Sequence, residues 1–140
     1  MTSLYKGGVM KRDLDYLKSL LEAFEESEDG VKINKIKGFD FESALFRYHM
    51  ELLKEAKLIC RDDGEFDIGL RKSGDGIYTW NIWSLRLTND GHDFLDNIRS
   101  EEIWSTLKTG FKDVSLGVLT KVAKELFNRA LNKQLGKIFD

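Results

Sequence analysis

The feature that most constrains this chain is a helix that runs straight into a β-ribbon. At about 100° per residue, Phe41, Leu45, Tyr48, Leu52 and Ala56 share one face of a helix over residues 41–57. Ser43, Arg47, Met50 and Lys54 fall opposite. Asp40 stands where an N-cap would accept the first orphan amide. Leu58-Ile59-Cys60 then reads as the start of a strand. Two polar breaks follow, Arg61-Asp62-Asp63-Gly64-Glu65 and Lys72-Ser73-Gly74-Asp75-Gly76, with a short extended stretch at 66–70 between them. Residues 77–87 are rich in β-branched and aromatic side chains and read as one returning strand.

The flanks extend this order. Leu14, Leu17, Leu21 and Phe24, with Leu20 beside them, mark a helix over 10–26. Val31, Ile33 and Ile36 mark a short, partly exposed strand over 31–37, which leaves little room for a further helix before Phe41. Downstream, Thr88 is the expected N-cap of a helix carrying Phe94, Leu95, Ile98, Trp104 and Leu107. After Gly110, Ser115 opens a last helix to about residue 136. Its apolar positions are Leu119, Val122, Leu126, Phe127 and Ala130, and its basic side carries Lys121, Lys124, Asn128 and Lys133. The expected class is α+β, with a hairpin and a C-terminal helical extension. The expected division is 10–109 for the domain and 110–140 for the extension. Residues 1–9 contain Thr2-Ser3-Leu4-Tyr5-Lys6-Gly7-Gly8, which is similar to a translated cloning scar; a disordered arm is the alternative.

Composition excludes several classes. One cysteine, Cys60, allows no intramolecular disulfide and closes no cysteine-based zinc site. The formal net charge of -2 leaves only a local patch for any nucleic-acid contact. Apolar runs fall far short of the roughly 20 residues that span a bilayer, and no signal peptide is visible, so a cytoplasmic protein without membrane contact is expected.

A helix followed directly by a two-stranded ribbon is the core of a winged-helix domain. The segment Phe46-Arg47-Tyr48-His49-Met50-Glu51-Leu52-Leu53-Lys54-Glu55-Ala56-Lys57-Leu58-Ile59 resembles the recognition helix of ArsR-type regulators, roughly V-S-x-H-L-x-x-L-x-E-A-G-L-V. Lys57 stands where that pattern ends its helix with a glycine, and Arg47 replaces a small hydroxyl residue. Leu87-Thr88-Asn89-Asp90-Gly91-His92-Asp93-Phe94-Leu95 resembles the L-T-x-x-G-x-x-x-L segment after the wing in MarR- and PadR-like proteins. From Met10 onward the chain is more similar still to an uncharacterised bacterial and prophage family that begins M-K-R-D and carries R-L-T-x-x-G-H-D-F-L-D-x-I-R. That resemblance implies a winged-helix-like fold and no particular activity.

Two functions compete. A DNA-binding regulator would use Ser43, Arg47 and Lys54 on the helix, with Arg71 and Lys72 of the wing on the phosphate backbone of duplex DNA. A protein-interaction module would explain why the helix is neutral by count and the wing from 61 to 84 nets minus two. An enzyme ranks third, because no acid, base and nucleophile are spaced for catalysis. No metal or cofactor is expected. Ser73-Gly74-Asp75-Gly76 lacks a following helix and the lysine of a P-loop. His92 with Asp93 and Asp96 is a weak metal signal. His49 is expected to be a core histidine and Cys60 a small core residue. For the C-terminal helix, dimerisation is ranked first, by analogy with winged-helix regulators, ahead of folding back on the domain or lying on an anionic surface.

Overall fold

The computed structural model describes residues 5–6, 9–27 and 29–139. The expected scar or arm at 1–9 lies mostly outside them. Within it, β1 (Tyr5–Lys6) pairs antiparallel with β2 (Val9–Met10). The chain forms two compact units, Met1–His92 and Asp93–Asp140, and their helices and small antiparallel sheets make the α+β class expected.

In the first unit, α1 (Leu14–Glu25) starts where Asp13 accepts the Tyr16 amide at 3.1 Å. It buries Leu17, Leu20, Leu21 and Phe24, the i, i+3, i+4, i+7 stripe of a helix lying on a core. The strand expected over 31–37 is shorter than its alternation implied. β3 (Val31–Lys32) passes at once into a 3₁₀ turn, Ile33–Lys35. Three residues per turn set Ile33 and Ile36 on one side, and both are buried. Burying that pair outweighs a few more residues of edge pairing.

Next comes α2 (Ala44–Glu55), which differs from expectation at its start and in its face. Ser43 caps it, not Asp40. The Ser43 hydroxyl accepts the Phe46 amide at 3.1 Å and donates to the Asp40 carbonyl at 2.8 Å. The Asp40 carboxylate accepts the Glu42 amide instead. The core face is Phe46, His49, Met50 and Leu53. Met50, expected outside, is fully buried, while Leu45, Tyr48 and Leu52 are half-buried. Apolar residues occupy two adjacent strips of this helix. Periodicity finds both strips, but only the partner elements decide which of them is covered.

α2 ends at an unusual residue. Lys57 has φ +60°. The Leu58 amide reaches the Leu53 carbonyl and the Lys57 amide the Lys54 carbonyl, both at 2.9 Å. That paired closure needs a left-handed residue, which glycine supplies at least cost. The glycine of the ArsR-type pattern therefore has a lysine doing its conformational task here. Lys57→Gly is expected to stabilise the chain by about 0.5–1 kcal/mol, net of the chain entropy glycine adds. Urea midpoints should show it, and an unchanged or lowered midpoint would refute the strain.

The ribbon is present after Cys60. β4 (Ile59–Arg61) pairs with β7 (Ser84–Leu87), which also pairs with β3, so the sheet order is β3-β7-β4, all antiparallel. β7 turns Leu85 and Leu87 inward and Arg86 outward, and α1 packs against it. The single strand expected over 77–87 is two strands in two sheets. β6 (Tyr78–Trp80) pairs with β5 (Leu70–Lys72) in a separate hairpin, and residues 81–83 divide it from β7. The divide has a steric signature. The Asn81 amide donates to the Gly69 carbonyl at 2.7 Å, and Gly69, at φ +88°, has no room for a Cβ against the Asn81 carbonyl oxygen. Lys72, read as the opening of a turn, closes β5.

The hairpin is tied to the start of α2. The Trp80 indole donates to the Phe41 carbonyl at 2.9 Å, and its ring lies 5.9 Å from that of Phe46. After β7 the chain enters α3 (Asn89–Ile98). Thr88 caps it as expected, accepting the Gly91 amide at 3.0 Å. Its hydroxyl also donates to the Lys57 carbonyl at 2.7 Å.

In the second unit, Ser100 caps α4 (Glu101–Gly110), whose buried residues are Ile103, Trp104 and Leu107. Trp104 and Leu107 thus belong to a helix of their own rather than to the one begun by Thr88. α4 packs on α5 (Leu116–Phe139), which buries Leu116, Leu119 and Ala123.

Candidate functional site

The five residues picked from sequence divide sharply. Ser43 is the cap described above, so its hydroxyl already holds two backbone partners. Arg71 grips Asp67 with both guanidinium nitrogens, at 2.8 and 3.0 Å. That bidentate bond holds the Asp67 carboxyl down at about 2. Lys54 is half-buried in the last turn of α2, about 10 Å along the helix from Arg47. Arg47 and Lys72 do meet. The Arg47 guanidinium lies 3.9 Å from the centre of the Tyr78 ring, and the Lys72 ammonium lies 5.4 Å from it. The fold therefore gathers Arg47 and Lys72 on one aromatic ring, keeps Ser43 one turn before Arg47 with its hydroxyl occupied, and does not bring Lys54 or Arg71 to that ring.

Tyr78 was not picked from sequence as a site residue. Its signal was there: register pairs it with Lys72 across the hairpin, and paired residues share a face. A continuous strand over 77–87 concealed that pairing. With Arg47, Tyr78 borders an open cleft of about 280 Å³ also lined by Met10, Ala44, Tyr48 and Glu51. Ala44, Tyr48, Glu51 and Glu55 are spaced i, i+4, i+7, i+11, one outward strip of α2. Two carboxylates lie on the strip that a groove-reading helix would press against phosphate.

Arg61 is similarly engaged. It pairs with Asp63 at 2.6 Å and covers the Trp83 ring at 4.6 Å, with Arg71 5.5 Å from the same ring. Charge-assisted bonding to Arg61 lowers the Asp63 carboxyl. Apolar side chains stay in solvent beside these pairs: Ile77 is 59% exposed, with Phe66, Tyr78 and Ile82 also exposed.

His49 lies inside, as expected of a core histidine. Its Nε2 accepts the Asp13 amide at 2.9 Å, and its Nδ1 donates to the Leu45 carbonyl at 2.7 Å. Those two bonds select the tautomer with hydrogen on Nδ1. Tyr16 and Tyr48 flank the ring, at 4.6 and 5.2 Å between centroids. Burial lowers the His49 pKa, against the raising effect of the Leu45 carbonyl and the Asp13 carboxylate. Tyr16 in turn is pushed up to about 12 by burial and by the Asp40 and Asp13 carboxylates. Cys60 is buried, which raises its thiol. His92 is exposed, and among the described residues no three His, Cys, Asp or Glu side chains gather as metal ligands would. No helix among them is long and apolar enough to cross a membrane.

A family model described as a hypothetical protein (DUF2513) matches residues 11–117. An uncharacterized protein of Haemophilus influenzae is 30% identical over 129 residues, covering 87% of this chain and 99% of that relative. No solved structure matches the chain significantly.

Proposed function

Since the chain belongs to the DUF2513 family of hypothetical proteins, we propose its function from its own surface: a winged-helix-like module of bacterial or prophage origin that binds a protein through its hairpin and the outward strip of α2. The order helix, strand, 3₁₀ turn, helix, strand, hairpin, strand, with β7 between β3 and β4, supports the winged-helix-like reading. The carrying observation for a protein partner is the state of the ribbon. Arg61 and Arg71 are held by Asp63 and Asp67, the outward Arg86 has, among the described residues, only backbone carbonyls as partners, and Ile77, Tyr78 and Phe66 are exposed on the same segment. Duplex DNA is bound chiefly by cations offered to phosphate. Apolar side chains ringed by broken charge suit a protein surface better. The reading is non-enzymatic, and a buried single cysteine agrees with a reducing cytoplasm.

One observation favours duplex DNA instead, the convergence of Arg47 and Lys72 on Tyr78. Anisotropy titration against a mixed-sequence duplex at low salt separates the two readings. No saturable binding is expected. Saturable binding that falls steeply with salt, and that Arg47→Ala and Lys72→Ala each weaken, would put DNA first. In cells, a photocrosslinker at position 77 should give one discrete protein adduct, and the same group at exposed Ser19 of α1 should give none. Absence of an adduct at position 77 removes the proposal.

A further inference from the structure

The last helix carries an apolar strip that its own unit does not cover. The strip expected from sequence, Leu119, Val122, Leu126 and Ala130, runs down the inner side of α5: Leu119 is buried, and Val122 and Leu126 are half-buried. Beyond Leu126 the apolar side turns by roughly a third of the helix circumference. Phe127, Leu131, Leu135 and Ile138 then align at i, i+4, i+8, i+11, with Phe139 at the border. These five are between 41% and 82% exposed. They lie beyond the 11–117 span of the family match.

We infer that this strip is a self-association surface, on which a second copy of the chain seats the same strip antiparallel. Three observations select that occupant. First, size: the five side chains expose on the order of 500 Å², so two copies would bury about 1,000 Å², the lower bound of a specific interface. A patch of this extent falls in the range of the largest, often functional, apolar patch of a soluble monomer. Second, charge: the residues bordering the strip are Asn128, Asn132, Gln134 and Ala130, Lys137 lies just beyond Ala130, and Arg129 and Lys133 lie on the far side. Two copies can therefore meet without setting cation against cation. A helix held on anionic lipid carries its cations where they reach the phosphates beside the apolar face. Third, direction: Lys124 continues the line of the strip one turn before Phe127. Parallel pairing would put two ammoniums together, and antiparallel pairing sends them to opposite ends. An interface of this kind is isologous and closes at two copies.

Sedimentation equilibrium on the full chain, across about a hundredfold range of concentration, should fit a monomer–dimer equilibrium. Leu131→Glu with Leu135→Glu should weaken it by at least about 100-fold. Far-ultraviolet dichroism should hold, as should the urea midpoint at concentrations where the parent is monomeric, since neither side chain is buried in its own copy. A spin label at Lys124→Cys in a Cys60→Ser background should report a separation of about 27 Å or more for antiparallel pairing. A monomer at every concentration overturns the inference, as does a dimer indifferent to the two glutamates or a short label distance. A monomer that sediments with phosphatidylserine vesicles but not with phosphatidylcholine vesicles overturns it in favour of lipid. None of these outcomes touches the crosslink at position 77, so the two proposals fail separately.

Discussion

Gly91→Ala is expected to destabilise the first unit by about 2–4 kcal/mol, despite alanine being the better helix former. Gly91 lies in the first turn of α3, with no unusual φ. Its requirement is space. A Cβ there would fall well inside contact distance of the Leu58 carbonyl oxygen, 3.1 Å from the carbonyl carbon and 3.3 Å from a Leu87 methyl. The obstacle is backbone, and that backbone is already bonded. The Leu58 carbonyl accepts the Thr88 amide at 3.0 Å, and the Thr88 hydroxyl donates to the Lys57 carbonyl. Pushing α3 away by the width of a methyl group would stretch both bonds and open the Leu87 contact, each worth about 1 kcal/mol. Gly136→Ala in α5 is the control. It too is helical, a methyl group there would meet nothing within 4 Å, and the variant should gain about 0.5–1 kcal/mol. Urea unfolding of the two variants should therefore move in opposite directions. A Gly91→Ala midpoint at or above that of the parent would show that the approach of α3 to Leu58 is not tight.

The second large effect is on pH. Native His49 holds a proton on Nδ1 only, because its Nε2 faces the Asp13 amide, itself a donor. Adding a proton there sets donor against donor and places charge among Phe46, Tyr16 and Tyr48. Burial accordingly lowers its pKa, while the unfolded chain titrates at the ordinary 6.5. Below pH 6.5 the unfolded state binds more protons than the native one. Stability is thus complete above 6.5 and is lost as pH falls through it, at up to about 1.4 kcal/mol per unit. The groups around the ring are Asp13, which favours the proton, and Arg12, which opposes it. Asp67, at about 2, titrates far below this window. His49→Leu should cost about 2–3 kcal/mol at pH 7.5, since it leaves the Asp13 amide without its acceptor. It should also flatten the dependence between pH 7.5 and 5.5. His49→Gln, whose amide oxygen can accept the same bond, should recover part of the stability and stay flat. If the parent and His49→Leu lose stability equally across that interval, another group carries the effect.

Much of the framework was legible along the chain. Leu14 to Phe24 announced α1, and the helix-to-ribbon order at 41–60 announced the element that matters most. Thr88 stood out as a cap, and the structure gives the glycine of the 87–95 resemblance its physical role in the close approach to Leu58. Lys57 was visible as a lysine where the related pattern has glycine; its left-handed backbone shows that the turn is kept and the residue strained. The candidate site was much less legible. Arg47 and Lys72 were picked, but their shared partner Tyr78 was not, because pairing across a hairpin depends on where each strand begins. The break at 81–83 ends β6 at Trp80 and gives β7 to a different sheet. Arg71 read as an available cation, yet Asp67 four residues earlier takes its guanidinium, as Asp63 takes that of Arg61.

The limit has one cause. Helical and strand periodicity, caps and turn residues are local properties, set within a few residues by sterics and hydrogen bonding. They determined that this chain is α+β, that α1 and α2 exist, where α3 is capped, and that a ribbon follows Cys60. Which of two apolar strips of α2 is buried, which cations remain for a partner, and where the apolar side of α5 faces outward all depend on elements distant in sequence. Those were decided by tertiary packing, because a side chain's environment is made by its neighbours in space, and the pattern of one helix carries no record of what lies across from it.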